Sequence, residues 1–325
     1  MKILVIRFSS IGDILMITPV LRCIKQQIPE ASLHFLTKRK FQFVLANNPH
    51  IDRFHYLEDS LQRVIGELKK EEVDYIVDLH HNLRTFLVKA ALRKRSSAYF
   101  KANFEKWLIV KFKINRLPRS HTSERFLEAA SPLGIKDDGK GLDYFFQSDY
   151  SVDMLLPATH RRNYAGFIIG GSYFTRRMPP EKIIAIIRRL KEPVVLLGGP
   201  EDRDRGEMIR QAVGEQVFNA CGACTFDQSA YLVKEADYII SHDTSLMHVA
   251  AAFNKKIISV WGHNLPEFGN FPFRVDQSFM LSVPGLDCRP CSKNGTDKCP
   301  RGHFKCMWNI DPDEVATLAE KTTEG

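Results

Sequence analysis

Tyr238-Ile239-Ile240-Ser241, an apolar strand-like run, leads through Asp243-Thr244-Ser245-Leu246-Met247-His248 into the helix-like run Val249-Ala250-Ala251-Ala252-Phe253. A strand, a short hydroxyl-bearing loop and a helix in that order predict part of a βαβ unit. A helix starting there turns unpaired backbone N–H groups, and the positive end of its dipole, toward the loop before it. Small hydroxyl side chains let an anion come close, so the expected guest is a phosphate or diphosphate. The stretch has a counterpart near the other end of the chain. Ser9-Ser10-Ile11-Gly12-Asp13 also lies between a strand-like and a helix-like run. Two such sites in two halves point to a ligand in a cleft between the halves.

The surrounding sequence supports the same architecture. Residues 2–8, 32–37 and 75–79 read as buried parallel strands rich in Ile, Leu and Val. A helix is expected after the first, with Thr18 as N-cap, Pro19 in the first turn and Val20, Leu21, Ile24 and Ile28 on one side. Residues 61–68 read as another helix. After a polar interval near 147–163 the rhythm restarts, with strands at 166–170, 193–197, 238–241 and 256–260. Helices are expected at 181–190, 203–213, 227–234, 246–253 and 311–320. The fold class is therefore α/β, with two doubly wound, Rossmann-like halves and ligands beyond the carboxyl ends of the strands. At 325 residues the chain has the length of two domains, placed at 1–155 and 156–325.

Charge and cysteines narrow the function classes. No signal peptide is read, because the first apolar run is short and ends at Arg7. No apolar stretch is long enough to span a bilayer, so a soluble cytoplasmic protein is expected. Between Arg84 and Arg119 there are eleven Lys and Arg against one acid, Glu105, interleaved with Phe86, Phe100, Phe104, Trp107 and Phe112. That mixture suits an anionic membrane surface, a phosphorylated substrate or nucleic acid, or else amphipathic helices whose aromatics face the core. Nucleic acid is the weakest of these, since no helix-turn-helix, RNP-type or zinc-finger pattern accompanies the basic stretch. Cys221 and Cys224 form one C-x-x-C; Cys288 and Cys291 form another, followed by Cys299 and Cys306. The last four could build a tetrahedral structural Zn site, or be reduced thiols in a compact loop.

Several strand-end residues carry candidate chemistry. Asp13 could be a general base on a hydroxyl nucleophile, or a first-turn acid that caps its helix; Gly12 beside it allows a tight turn. Gly170-Gly171-Ser172 followed by Thr175-Arg176-Arg177 offers close backbone approach and bidentate donors to phosphates. The alternative there is a plain turn with solvated arginines. Glu201, after Gly198-Gly199-Pro200, could accept from a ribose or base. His121 and Arg125, four apart on a helix start, could hold an anionic acceptor together with Arg84, or be structural. Asp202-Arg203-Asp204 has D-x-D spacing but falls in a charge-rich turn, and is discounted as a metal site. No G-x-G-x-x-G is present, so a dinucleotide fingerprint is not supported.

Taken together, these residues resemble glycosyltransferase family 9, the lipopolysaccharide heptosyltransferases, over nearly the whole chain. The marks are Ser9 to Asp13, Asp78-Leu79 followed by Arg84, His121 to Arg125, Thr175-Arg176-Arg177-Met178-Pro179, Asp243 to His248, and Cys288-Arg289-Pro290-Cys291 with Cys299 and Cys306-Met307. The resemblance implies a GT-B fold and inverting, metal-independent transfer of a sugar, expected to be heptose, from an ADP-activated donor to a lipopolysaccharide core or related glycolipid. It implies that Asp13 is the base, and that Ser10, Gly12, Arg84, His121 and Arg125 serve the acceptor. By the same likeness Gly171, Ser172, Thr175, Arg176, Glu201, Asp243, Thr244, Ser245 and His248 serve the donor. Arg176 stands where the family often has Lys, Met178 where it has Trp, and His242 where Asn is common. No essential cofactor is expected, nor a nucleic-acid partner. The expected form is a monomer touching the cytoplasmic face of the inner membrane. The alternatives are another GT-B transferase or epimerase using a UDP-sugar, or a non-catalytic nucleotide-sugar-binding protein.

Overall fold

The computed structural model describes residues 1–323. Its first unit holds the parallel strands β1 (Lys2–Ile6), β2 (Ser32–Thr37), β3 (Arg53–Tyr56), β4 (Tyr75–Asp78) and β5 (Arg95–Ala98), in the order β3-β2-β1-β4-β5. The second holds β6 (Ala165–Ile168), β7 (Val194–Leu197), β8 (Val217–Asn219), β9 (Tyr238–His242), β10 (Lys256–Val260) and β11 (Ser278–Leu281), in the order β11-β10-β9-β6-β7-β8. Every strand pairing is parallel. Helices covering both faces explain why β1 and β9 are apolar and buried along nearly their whole length.

The main helices of the first half are α1 (Ile11–Leu15), α2 (Thr18–Gln27), α3 (Leu61–Glu71), α4 (Leu83–Leu92), α5 (Asn103–Phe112) and α6 (Thr122–Ala130). Those of the second are α7 (Val152–Leu155), α8 (Pro180–Ile187), α9 (Arg203–Val213), α10 (Phe226–Glu235), α11 (Ser245–Ala252), α12 (Lys305–Trp308) and α13 (Pro312–Thr323). Each sheet reverses its strand order once, between β1 and β4 in the first unit and between β6 and β9 in the second. Ligands of open α/β sheets lie beyond the strand ends at such reversals. The loops after β1, β4, β6 and β9 are therefore the places to look.

Three expectations are corrected. The compact units are 1–102 with 120–147, and 103–119 with the chain from 148 onward, so a single cut at 155 does not describe them. Thr18 does not cap α2; Ile17 does. The Thr18 hydroxyl is buried, donating to Leu15 O at 2.8 Å and accepting from Asp143 N at 2.9 Å. Of the aromatics between Arg84 and Arg119, Phe86, Phe104, Trp107 and Phe112 lie on helices and Phe100 in the loop after β5, and these five do not face the core. Phe86, Phe104, Trp107 and Phe112 are 60%, 62%, 51% and 54% exposed. The buried side of α5 is narrow, centred on Ile109. Just past α5, Lys113 Nζ donates to Pro290 O at 2.8 Å, which ties this segment to the second unit.

Candidate active site

In the first unit the chain leaves β1 as Arg7, a buried guanidinium. Its Nη2 lies 2.7 Å from Asp13 Oδ2. That same oxygen accepts from Ser10 N at 3.0 Å and Ser10 Oγ at 2.9 Å. Asp13 is in the first turn of α1, so the capping reading holds as local geometry and does not compete with a chemical role. Burial opposes ionisation of Asp13, but the Arg7 charge and the two Ser10 hydrogen bonds outweigh it and hold the carboxyl down at about 2. The carboxylate is thus ionised at neutral pH.

The other first-unit residues fall into two groups. His121 is the N-cap of α6, with Nδ1 accepting from Ser123 N at 3.0 Å, and Arg125 Nη2 donates to Thr122 Oγ1 at 2.9 Å. Both are buried, whereas Arg84 stands exposed in the first turn of α4. They do not share one solvent-facing surface. Arg125 does lie close enough to Tyr99 for its charge to be felt there. Tyr99 in turn contacts Arg7, with its OH 3.4 Å from Nη1. The His121–Arg125 turn therefore backs the Arg7–Asp13 site from behind.

In the second unit, Arg176 joins the loop after β6 to those after β9 and in the C-terminal segment. Its Nη1 donates to Asp243 O at 3.2 Å and lies 3.4 Å from Asp243 Oδ2, while Nε donates to Asn294 O at 2.8 Å. Asp243 ends β9 and also accepts from Asn264 Nδ2 at 2.7 Å. Thr244 is the N-cap of α11, yet its side chain makes no cap hydrogen bond, and its buried Oγ1 has no partner. Ser245 opens the helix and His248 lies buried one turn on. Thr175 is fastened to the C-terminal loop, accepting from Thr296 N at 2.8 Å. A Cβ on Gly171 would sit 3.1 Å from Arg177 Cγ, so any larger residue here requires the Arg177 side chain to give way. Ser172 and Glu201 are exposed, and the Glu201 carboxylate folds back over Gly199.

Arg7, Tyr99, His263 and Asn264 went unread in the sequence. Arg7 directly follows β1 and His263-Asn264 lie just beyond β10, and a place at a strand end is the signal that could have found them. His263 is buried and its Nδ1 donates to Thr175 O at 3.2 Å, which leaves Nε2 as a bare acceptor. Burial first, and then the nearby Arg176 charge, lower its pKa to about 4, so the ring is neutral. Two of the three departures from the family pattern touch each other: Met178 N donates to His242 Nε2 at 3.2 Å. Both are buried, so this pair supports the Arg176 turn from beneath.

The C-terminal thiols Cys288, Cys291, Cys299 and Cys306 are free cysteines. Among the described residues, no group of three or more His, Cys, Asp or Glu side chains is placed to hold a metal ion. Burial first, and then the neighbouring thiols, push Cys306 up to about 12 and raise Cys291, so these thiols lie within reach of one another's charge. The discounted D-x-D is likewise structural: Asp202 is buried and accepts from Gly199 N at 3.1 Å.

Comparison with known proteins accords with this geometry. Residues 61–299 match the model of glycosyltransferase family 9 (heptosyltransferase). The chain belongs to that family. Lipopolysaccharide heptosyltransferase 1 of Campylobacter coli is 24% identical to it, over 99% of this chain and 98% of the relative. The crystal structure of the glycosyl transferase family 9 protein from Veillonella parvula is similar with a TM-score of 0.80 at 20% identity, covering 100% of this chain and 98% of that one. E. coli ADP-heptose lps heptosyltransferase II is similar with a TM-score of 0.74 at 20% identity, covering 99% and 98%. The fold is GT-B, built of two Rossmann-like units, and the protein is a glycosyltransferase.

Proposed function

We propose that the enzyme moves heptose from an ADP-activated donor to a lipopolysaccharide core or related glycolipid, with inversion and without an essential metal. The heptose and ADP follow from its likeness to heptosyltransferases, one of them the E. coli ADP-heptose lps heptosyltransferase II. The observation that carries the donor side is Thr244 Oγ1. A buried hydroxyl without a partner, at a helix start whose N–H groups it does not cap, suits a diphosphate oxygen. Arg176 adds the positive charge that stabilises the leaving diphosphate. His263 Nε2, an acceptor only, suits a donor O–H or N–H rather than a phosphate oxygen. Gly171, Ser172, Thr175, Glu201, Ser245 and His248 complete the donor loops.

On the acceptor side Asp13 removes the proton from a sugar hydroxyl as its oxygen attacks the anomeric carbon. A strongly basic carboxylate is not needed, because the hydroxyl acidifies as the bond to the oxocarbenium-like carbon forms. Ser10 and Gly12 shape this loop, Arg84 and Arg125 add positive charge for an anionic acceptor, and His121, its Nδ1 accepting from Ser123 N, holds the turn that carries Arg125. Phe104, Trp107 and Phe112 form an exposed aromatic cluster, their ring centroids 5.9 and 5.2 Å apart in succession, next to Lys106 and Lys111. Such a face suits a monomer resting on the anionic inner surface of the inner membrane. No helix among the described residues is long and apolar enough to cross a membrane. The four C-terminal cysteines act in this reading as reduced thiols packing their loop, with a structural Zn as the alternative that metal analysis decides. A thermal-shift titration tests the donor side: ADP should stabilise the enzyme, and no shift with ADP or any other nucleoside diphosphate would defeat it.

A further inference from the structure

We infer that Arg7 is the positioning residue of the reaction: it clamps one carboxylate oxygen of Asp13, Oδ2, and so presents the other, Oδ1, to the acceptor hydroxyl. The inference rests on Asp13 being the base, and it adds a residue and an atom to that reading. Arg7 is held before it reaches Asp13. Its Nε donates to Ser9 O at 2.7 Å, and its Nη1 donates to Leu79 O just past β4 and contacts the Tyr99 hydroxyl. Its guanidinium carbon lies 5.4 Å from the Phe126 ring centroid. These anchors belong to the ends of three neighbouring strands and to α6, so the planar fork has one orientation. The remaining arm then meets Asp13 Oδ2 at 2.7 Å.

Three donors converge on that single oxygen: Arg7 Nη2, Ser10 N and Ser10 Oγ. None of them reaches Oδ1. An oxygen already accepting three hydrogen bonds has no lone pair left for a fourth, whereas Oδ1 has both. Asp13 keeps 29% of its side chain exposed while Arg7 keeps 7%, so the carboxylate has the open side. In the transfer, the acceptor O–H bond breaks and its proton goes to Oδ1. The acceptor oxygen bonds to the anomeric carbon, and the electron pair of the breaking C–O bond leaves with the nucleoside diphosphate. Asp13 finishes neutral, still held by Arg7 and ready to return the proton to solvent.

The groups facing Asp13 set how this responds to pH. His80, beyond β4, is neutral because burial and then the Arg7 charge lower it to about 4. Tyr99, beyond β5, is a phenol raised mainly by burial. Lys101 lies near His80 and Arg125 near Tyr99, but Arg7 alone among these cations bonds the carboxylate. Removing it leaves a half-buried carboxylate with only Ser10 as support, and its pKa must rise.

The test is the pH profile of kcat/KM for Arg7→Met and Arg7→Lys, with ADP-heptose and a lipopolysaccharide core acceptor. Arg7→Met should move the acid limb upward by about one pH unit or more. Arg7→Lys restores a charge but not the fork, so it should return the limb toward wild type while kcat stays down by about tenfold or more. Donor KM should hold in both. An unmoved acid limb in Arg7→Met, or wild-type kcat in Arg7→Lys, overturns the inference. Should Arg7→Met fail to fold, Arg7→Lys decides alone through kcat. Asp13→Asn separates the two levels: an active Asp13→Asn removes the base itself, whereas an inactive one beside an unmoved Arg7→Met limb removes only Arg7.

Discussion

Both units place an Arg–Asp pair where their sheet reverses, but the two pairs face opposite ways. In the first, the arginine is the buried partner (Arg7, 7% exposed) and the acid looks out (Asp13, 29%). In the second, the acid is the buried partner (Asp243, 7%) and the arginine looks out (Arg176, 20%). The distances follow the same division, 2.7 Å for Arg7–Asp13 and 3.4 Å for Arg176–Asp243. The lesson is that an ion pair at a strand end serves whichever partner is left accessible. A buried guanidinium makes a carboxylate available to take a proton, and a buried carboxylate makes a guanidinium available to meet an anion. In the proposed function, the first sheet end takes the acceptor hydroxyl and the second the diphosphate.

The contrast can be broken at its outward-facing members first. Asp13→Ala should lower transfer by about 10²- to 10⁴-fold, the usual worth of a general base, with an unchanged circular dichroism spectrum. Near-normal turnover would make Asp13 only a helix cap. Arg176→Met should cost about 10²- to 10³-fold in kcat, as loss of one charge-stabilising donor does, and weaken ADP in a thermal-shift titration. Unchanged ADP binding there would return Arg176 to a solvated turn. The pH response sharpens the comparison. Because the folded Asp13 is depressed from 3.8 to about 2, the Arg7 pair stabilises the fold at pH above about 4 and loses that contribution as pH falls toward 2. Acid unfolding of Asp13→Asn should accordingly be shallower than wild type over that window.

Smaller effects are expected away from the two pairs. Replacing Phe104, Trp107 and Phe112 together by Ser should lower binding to anionic vesicles about tenfold or more, given about 1.5–3 kcal/mol for each large apolar group that is buried. Turnover on a deacylated, soluble acceptor should not change. Flotation that ignores both the aromatics and anionic lipid would remove the membrane role. Dialysis against a chelator should leave transfer and thermal stability as they were. Stoichiometric Zn or Fe in protein purified without chelator would instead point to a closed-up C-terminal thiol site.

The sequence conveyed the fold where burial is two-sided. β1, β9 and β10 are mostly apolar and buried, and helix α9 matches its expected span of 203–213. It was silent at the sheet edges, because Arg53-Phe54-His55-Tyr56, Val217-Phe218-Asn219 and Ser278-Phe279-Met280-Leu281 are short and half-polar, and pair on one side only. Candidate residues on helix starts were legible from spacing, since Asp13 and Thr244 lie next to the strands that carry them. Their partners were not. Arg7 reaches Leu79 and Tyr99 across 72 and 92 positions, and Asn264 reaches Asp243 across 21, contacts set by sheet order rather than by local pattern. The Arg84–Arg119 aromatics show the remaining gap: composition named them, but which side of α5 faces the protein depends on tertiary packing.

The division of labour between the two pairs is tested most directly by measuring ADP affinity and transfer together on Asp13→Asn. The ADP Kd of Asp13→Asn should stay within about twofold of wild type while transfer falls by about 10²-fold or more. Transfer at the wild-type rate, or ADP affinity that falls in step with turnover, would contradict that division.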